Sequence, residues 1–308
     1  MRAAVIAAPH TCEVKEVDTP EPSPDEVLVQ VEGCGVCGSN LPAWEGRPWF
    51  TYPLPPGRPG HEGWGRVVAT GRNVRSFAPG NRVAFLSDHA FSEYDVADAR
   101  SVIELPRALD HDDVPGEPLG CALNIWKRSE IAAGQTVAVV GIGFLGAILV
   151  QLAARAGARV IAVSQRDYSL ALATKLGAAE ALHLDGAERA SESCDRVIEL
   201  VGLQRPLDVA ARLCRVRGRL VIAGFHQDGP REVDMFLWNW RGLDVINAHE
   251  RDPLAYVAGI NAAIDRVVSG ELDPRPLYTD RIPLSRAGDA FELLRRRPSG
   301  FVKALVVP

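Results

Sequence analysis

The sequence predicts an α/β chain in two parts, a β-rich, barrel-like domain and an open, doubly wound parallel sheet. Three observations predict it. From Thr136 onward, apolar strand-like runs alternate with helical patterns. Before about residue 100, short strand-like runs are instead separated by Pro/Gly-rich turns. The apolar run Thr136 to Val140 also leads straight into Gly141-Ile142-Gly143-Phe144-Leu145-Gly146 and then a helical pattern from Ala147. That is the strand–glycine turn–helix unit from which doubly wound sheets are built.

Each element has its own signal. Met1 to Ala8 reads as a first strand. Val27-Leu28-Val29-Gln30-Val31 and Gly65-Arg66-Val67-Val68-Ala69 are apolar, β-branched runs, and Pro53 to Gly60 is a long loop. Further strands are expected near 136–141, 159–164, 180–184, 195–201, 218–224 and 243–248, with helices near 145–157, 168–176, 205–215 and 253–269. Beyond Asp273 come a loop, a strand, a helix near 285–296 and the apolar strand Phe301 to Val307, a piece that returns to the first domain.

Composition excludes several classes. At 308 residues with 47% hydrophobic and 24% charged residues, the chain has material for two globular cores. A net charge of −5 carries no nucleic-acid footprint, and Arg295-Arg296-Arg297 is too short to make one. The longest apolar stretch, Val137 to Leu152, is broken by three glycines and Gln151, so no membrane span is expected. The N-terminus lacks the layout of a secretory signal. Cys12, Cys34, Cys37, Cys121, Cys194 and Cys214 lack the spacing of a disulfide scaffold and fit thiols in a reducing cytoplasm.

The glycine turn points to a dinucleotide. Gly141 makes the tight turn, Gly143 admits the pyrophosphate, and Gly146 lets the helix pack on the strand. Phe144 and Leu145 open the helix whose free N–H groups would face the phosphates. The next strand ends in Ser164-Gln165-Arg166, where an acid would bind the ribose 2′-hydroxyl of NAD. A hydroxyl, an amide and a cation suit a 2′-phosphate, so NADP is expected over NAD.

A second group is chemical. Cys37, His61, Glu62 and Glu117 all sit in Gly/Pro-marked stretches that read as loops. Thiolate, imidazole and carboxylate form a zinc set with room for a further ligand. The Cys34–Cys37 spacing also permits a structural or redox pair, but no second such pair follows. Taken singly, each residue fits an ordinary structural role, and spacing does not rank them.

The ordered set GCGVCGSN, PGHEGWGRVVATG, GEPLGCALN and GIGFLG resembles the zinc-dependent medium-chain dehydrogenase/reductase family, and within it the sorbitol- and threonine-dehydrogenase-like branch. The resemblance spans essentially the whole chain. It implies a GroES-like catalytic domain over 1–124, a Rossmann cofactor domain over 125–262, and a return to the catalytic domain over 263–308. It also implies zinc on Cys37 and His61 with Glu62 or Glu117, and a homodimer or homotetramer built on the edge strands of the cofactor domains. The implied activity is hydride transfer between NADP(H) and a small alcohol or carbonyl substrate. Lys303 is expected to reach the cofactor phosphates or to be an ordinary exposed lysine.

Three departures qualify that picture. The four-cysteine structural-zinc lobe is missing: only a short run with Ser87-Asp88-His89-Ala90 lies between Gly80-Asn81-Arg82-Val83 and Phe91. Asn40 replaces an Asp that supports the metal. Pro42 stands where a relay His is usual, leaving Ser39 to pass the proton on. Trp44, Trp49, Phe50, Tyr52 and Trp64 crowd the segment around the metal residues; aromatics mostly pack in a core or an interface, but the close-set Trp49, Phe50 and Tyr52 suggest a bulky or cyclic substrate. The alternatives are a zinc-free quinone or enoyl reductase of the same fold and a nucleotide-binding protein without catalysis.

Overall fold

A computed structural model describes residues 1–308. The chain forms two compact units. One contains Met1–Gly120, Ile260–Val268 and Pro274–Pro308, and the other contains Cys121–Gly259 and Ser269–Asp273. In chain order the first stretch gives β1 (Arg2–Ala8), β2 (Thr11–Glu16), β3 (Glu26–Gly35), α1 (Leu41–Glu45), β4 (Gly63–Thr70), β5 (Arg82–Phe85), β6 (Tyr94–Asp98), β7 (Val102–Glu104) and α2 (Gly116–Ser129). The parallel sheet follows with β8 (Thr136–Val140), α3 (Phe144–Arg155), β9 (Arg159–Ser164), α4 (Asp167–Lys175), β10 (Glu180–His183), β11 (Cys194–Glu199), α5 (Gln204–Leu213), β12 (Cys214–Ile222), α6 (Met235–Arg241) and β13 (Asp244–Asn247). Last come α7 (Pro253–Val268), β14 (Tyr278–Pro283), α8 (Ala287–Arg296) and β15 (Lys303–Val307). No helix is long and apolar enough to cross a membrane.

In the first unit the sheet order is β14-β15-β3-β4-β5-β7, with β6 also on β3. Strand β3 alternates, burying Val27, Val29 and Val31 while Gln30 faces solvent. Its pairing positions the chemistry. Cys34 lies opposite Gly63 of antiparallel β4, so the loop after β3 and the loop before β4 leave the same end of the sheet. Leu305 of β15 lies opposite Gly35, which brings the start of β15 to that same end.

In the second unit the order is β10-β9-β8-β11-β12-β13, all parallel. Counted from β8 this is 3-2-1-4-5-6, two mononucleotide-binding halves meeting between β8 and β11. Val137 to Val140 are buried, as strands covered on both faces require. The short helix α6 is not anticipated by the sequence reading. Asp234 caps it by accepting from the Leu237 N–H at 2.9 Å, and Gly242 ends it in the left-handed region (φ 56°).

Candidate active site

The sheet end in the first unit gathers the predicted ligands. The Cys37 thiol, an imidazole nitrogen of His61 and a carboxylate oxygen of Glu62 all lie within 4.8 Å of one another. Asn40 ties the two loops together. Its Oδ1 accepts from the Cys37 N–H at 2.8 Å, and its Nδ2 donates to the Pro59 carbonyl at 3.0 Å. That carbonyl also lies 3.0 Å from His61 Nδ1. A carbonyl only accepts, so Nδ1 carries a ring proton and Nε2 is the nitrogen that a metal would take in place of a proton. Ser39 Oγ lies 3.5 Å from Nε2. An amide at position 40 thus serves a clamping role that needs no charge.

Glu62 is fully buried, and its partner is Lys303, only 4% exposed, with Nζ 2.6 Å from Oε1. Gly35 makes the space for this pair: a Cβ there would stand 1.9 Å from Glu62 Oε2 and 3.0 Å from Lys303 Cε. Burial alone would lower the Lys303 ammonium. The charges of Glu62, Cys37 and Glu117, with the hydrogen bond that Lys303 donates to Glu62, hold it above its ordinary value instead. Lys303 is therefore not an ordinary exposed lysine: its ammonium is buried against Glu62.

Glu117 stands on the first turn of α2 rather than in a loop. Pro118 is compatible with that turn because the first helical N–H groups have no partner within the helix. Glu117 lies outside the 4.8 Å group, but its charge reaches His61 and Lys303. Burial pushes His61 down, yet the Cys37 hydrogen bond and the charges of Cys37, Glu117 and Glu62 lift it to about 10. The donor set and its excess of acids fit a divalent cation of borderline softness such as zinc.

Two of the five aromatics belong to the core. Trp44 stacks on Phe291 at 5.3 Å and donates to Glu292, and Trp64 is 1% exposed, lying where a Cβ on Gly33 would touch its ring at 2.3 Å. Phe50 and Tyr52 are half-buried against the same core, and Trp49 alone is largely open, at 57%.

In the second unit the three glycines meet distinct demands. Gly141 has φ +104°, and a Cβ there would stand 2.7 Å from Val201 Cγ2. A Cβ on Gly146 would stand 2.1 Å from the Gly141 carbonyl, which fixes how closely α3 packs. A Cβ on Gly143 would meet nothing within 4 Å, leaving the open cradle that a pyrophosphate needs. Phe144 and Leu145 are the first two residues of α3. Arg166 reaches back over this turn, donating to the Ile142 carbonyl at 3.2 Å, while its own N–H lies 3.2 Å from Ser164 Oγ. Gln165 is exposed beside them. Sequence reasoning misses Glu199, His226 and Arg231, which interlock at the ends of β11 and β12. A buried acid closing a strand was the available signal.

Comparison with known proteins agrees with both units. The alcohol dehydrogenase GroES-like domain model matches residues 23–107, and the zinc-binding dehydrogenase model matches 145–258. The 2-dehydro-3-deoxy-L-galactonate 5-dehydrogenase of Pseudoalteromonas atlantica is 25% identical, over 92% of each chain. A Sinorhizobium meliloti protein described as a zinc-binding dehydrogenase, bound to NADP, superposes with TM-score 0.86 at 29% identity, over 100% of this chain and 99% of that one. The cobalt- and zinc-bound thermostable alcohol dehydrogenase of Pyrobaculum aerophilum gives 0.87 at 26% identity, with the same coverage. With the GroES-like and nucleotide-binding folds each matched in sequence and structure, the chain belongs to the zinc-type medium-chain dehydrogenases/reductases and is an oxidoreductase of the alcohol and polyol dehydrogenase group.

Proposed function

We propose that this enzyme moves a hydride between NADP(H) and a secondary alcohol or ketone with the help of one zinc ion. The observation that carries the reading is the convergence of thiol, imidazole and carboxylate within 4.8 Å, which also favours it over a zinc-free reductase. Cys37, His61 and Glu62 or Glu117 would hold the ion, which when bound supplies Lewis acidity toward the substrate oxygen. The bound cofactor supplies the nicotinamide that exchanges the hydride.

The chain's own residues orient and move the proton. The Pro59 carbonyl fixes the His61 tautomer, and Asn40 keeps the Cys37 and His61 loops in register. Ser39, beside His61 Nε2, takes the proton of the substrate hydroxyl and passes it outward. Pro42 is buried in α1 and carries no proton, so water or a ribose hydroxyl receives it next. Ser39→Ala should lower turnover about 10²-fold, the low end of acid–base effects, with cofactor affinity unchanged. A zinc-replete Ser39→Ala enzyme working near the wild-type rate removes Ser39 from the relay. Turnover of secondary alcohols, polyols and ketones with NADP(H) tests the whole reading, and failure with every member of that panel would sink it.

The cofactor preference rests on Arg166, poised over the glycine turn, and on the absence of an acid at Ser164. The NADP-bound relative supports it. A charge-assisted hydrogen bond is worth about 1.5–3 kcal/mol, so Arg166→Ala should weaken NADPH about 10- to 100-fold and NADH little. Equal losses for both in a binding titration would remove this role from Arg166.

A homodimer is part of the proposal. Strand β13 is one edge of the parallel sheet, and α6, which precedes it in the chain, exposes Met235, Phe236 and Trp240. Sedimentation giving a monomer at micromolar concentration would overturn this.

A further inference from the structure

Glu199 closes β11 with no exposed surface. A buried carboxylate needs partners, and its partners here form a chain. Oε1 accepts from the N–H groups of Val201 at 2.7 Å and Gly202 at 2.8 Å. Oε2 lies 3.2 Å from His226 Nε2. His226 Nδ1 accepts from Arg231 Nε at 2.9 Å, so the ring proton is on Nε2 and is donated to Glu199. Arg231 then returns to the same turn, its Nη2 donating to the Gly202 carbonyl at 2.6 Å, while Asp228 pairs with it from outside.

The turn Val201–Gly202 is thus gripped at two N–H groups and one carbonyl. It is also tightly seated. Gly202 has φ +78°, a Cβ there would stand 2.5 Å from the Phe225 carbonyl, and one on Gly224 would stand 2.3 Å from the Gly202 nitrogen. Glycine is needed at both places.

Its position gives the grip a purpose. In a doubly wound sheet the ligand lies outside the carboxyl ends of the strands, at the point where strand order reverses. That point lies between β8 and β11. On the cofactor reading above, Ser164 at the end of β9 and Arg166 just beyond it serve the adenosine half, so the other half extends over the ends of β11 and β12. Val201 is the residue there whose methyl comes closest to the Gly141 position, and it is 39% exposed.

We propose that Glu199, His226 and Arg231 are positioning residues that hold the Val201–Gly202 turn as the seat of the non-adenosine half of the dinucleotide. This rests on the dinucleotide reading above and names residues beyond it. The test compares NADPH with 2′,5′-ADP, which carries only the adenosine half. His226→Phe keeps a ring but loses both hydrogen bonds, and His226→Gln restores a donor and an acceptor. The Phe variant should bind NADPH about tenfold more weakly and 2′,5′-ADP as wild type does, and the Gln variant should regain most of the loss. Arg231→Ala, which frees the Gly202 carbonyl and His226 Nδ1 but leaves the Glu199 bonds to the turn in place, should show the same split, and it decides the matter if His226→Phe does not fold. Unchanged NADPH binding, or equal losses for both ligands, overturns the proposal. Wild-type protein that binds neither ligand would instead overturn the dinucleotide reading beneath it, a separate result.

Discussion

Cys37→Ala protein is expected to retain almost no zinc and to turn over about 10³-fold more slowly than wild type. Lewis-acid stabilisation amounts to several kcal/mol, and each 1.4 kcal/mol is about tenfold in rate. The substitution is small and at a half-buried site, so the fold should survive it. Circular dichroism and NADPH binding by the second unit serve as controls. Wild type should carry about one zinc per chain, because the short link between β5 and β6 leaves no room for a four-cysteine lobe. A Cys37→Ala protein with full metal and full activity would falsify the ligand assignment, and two zincs per wild-type chain would refute the stoichiometry.

Lys303→Met should destabilise the metal-free protein by about 3–5 kcal/mol, the usual cost of stranding one member of a buried ion pair. Glu62 has no solvent to turn to, and the cation that faces it is 241 residues away in sequence. Removing both charges in Glu62→Gln/Lys303→Met should recover most of the loss, because no buried charge is then left unpaired. Zinc should stabilise the single variant more than wild type, since a divalent cation replaces the missing positive charge. Urea denaturation with chelator and with zinc measures all three. A single variant less than about 1 kcal/mol below wild type would show that Glu62 does not depend on Lys303.

The two sites were legible to different depths. The cofactor turn announces itself locally: strand, three glycines and helix are contiguous, with Gly141 and Gly146 closely packed and Gly143 left open. The metal residues are scattered over 81 positions from Cys37 to Glu117, and only their resemblance to a family joins them. What joins them physically is the register of β3 against β4 and β15, which no local pattern encodes. The burial of Lys303 is hidden for the same reason, since a lysine opening an apolar strand is ordinary until the strand's neighbour is known. Which of the aromatics near Cys37 and His61 join the core is equally hidden, because sequence proximity says nothing about which way a ring turns. Gly116, Pro118 and Gly120 resemble breakers and point to a loop around Glu117, yet all three fit the opening of α2. Helix α6 is seven residues long, too short for a periodic signal, although its cap Asp234 and stop Gly242 were in plain view.

The threading of the first unit limits how the enzyme can be recombined. Its sheet takes β14 and β15 from beyond the nucleotide-binding unit, and the ammonium facing Glu62 comes with them. Residues 1–120 are therefore not a portable module. Expressed alone they would carry the thiol, the imidazole and the buried acid without its counter-charge or the strand that flanks β3. The nucleotide-binding unit is nearly one continuous stretch, and it is the part that can be exchanged as a cassette. Such an exchange must rejoin the chain inside α2 and inside α7, where the units change hands, and must also supply a substitute for Ser269–Asp273. A chimaera cut at the loops on either side of those helices would divide both units.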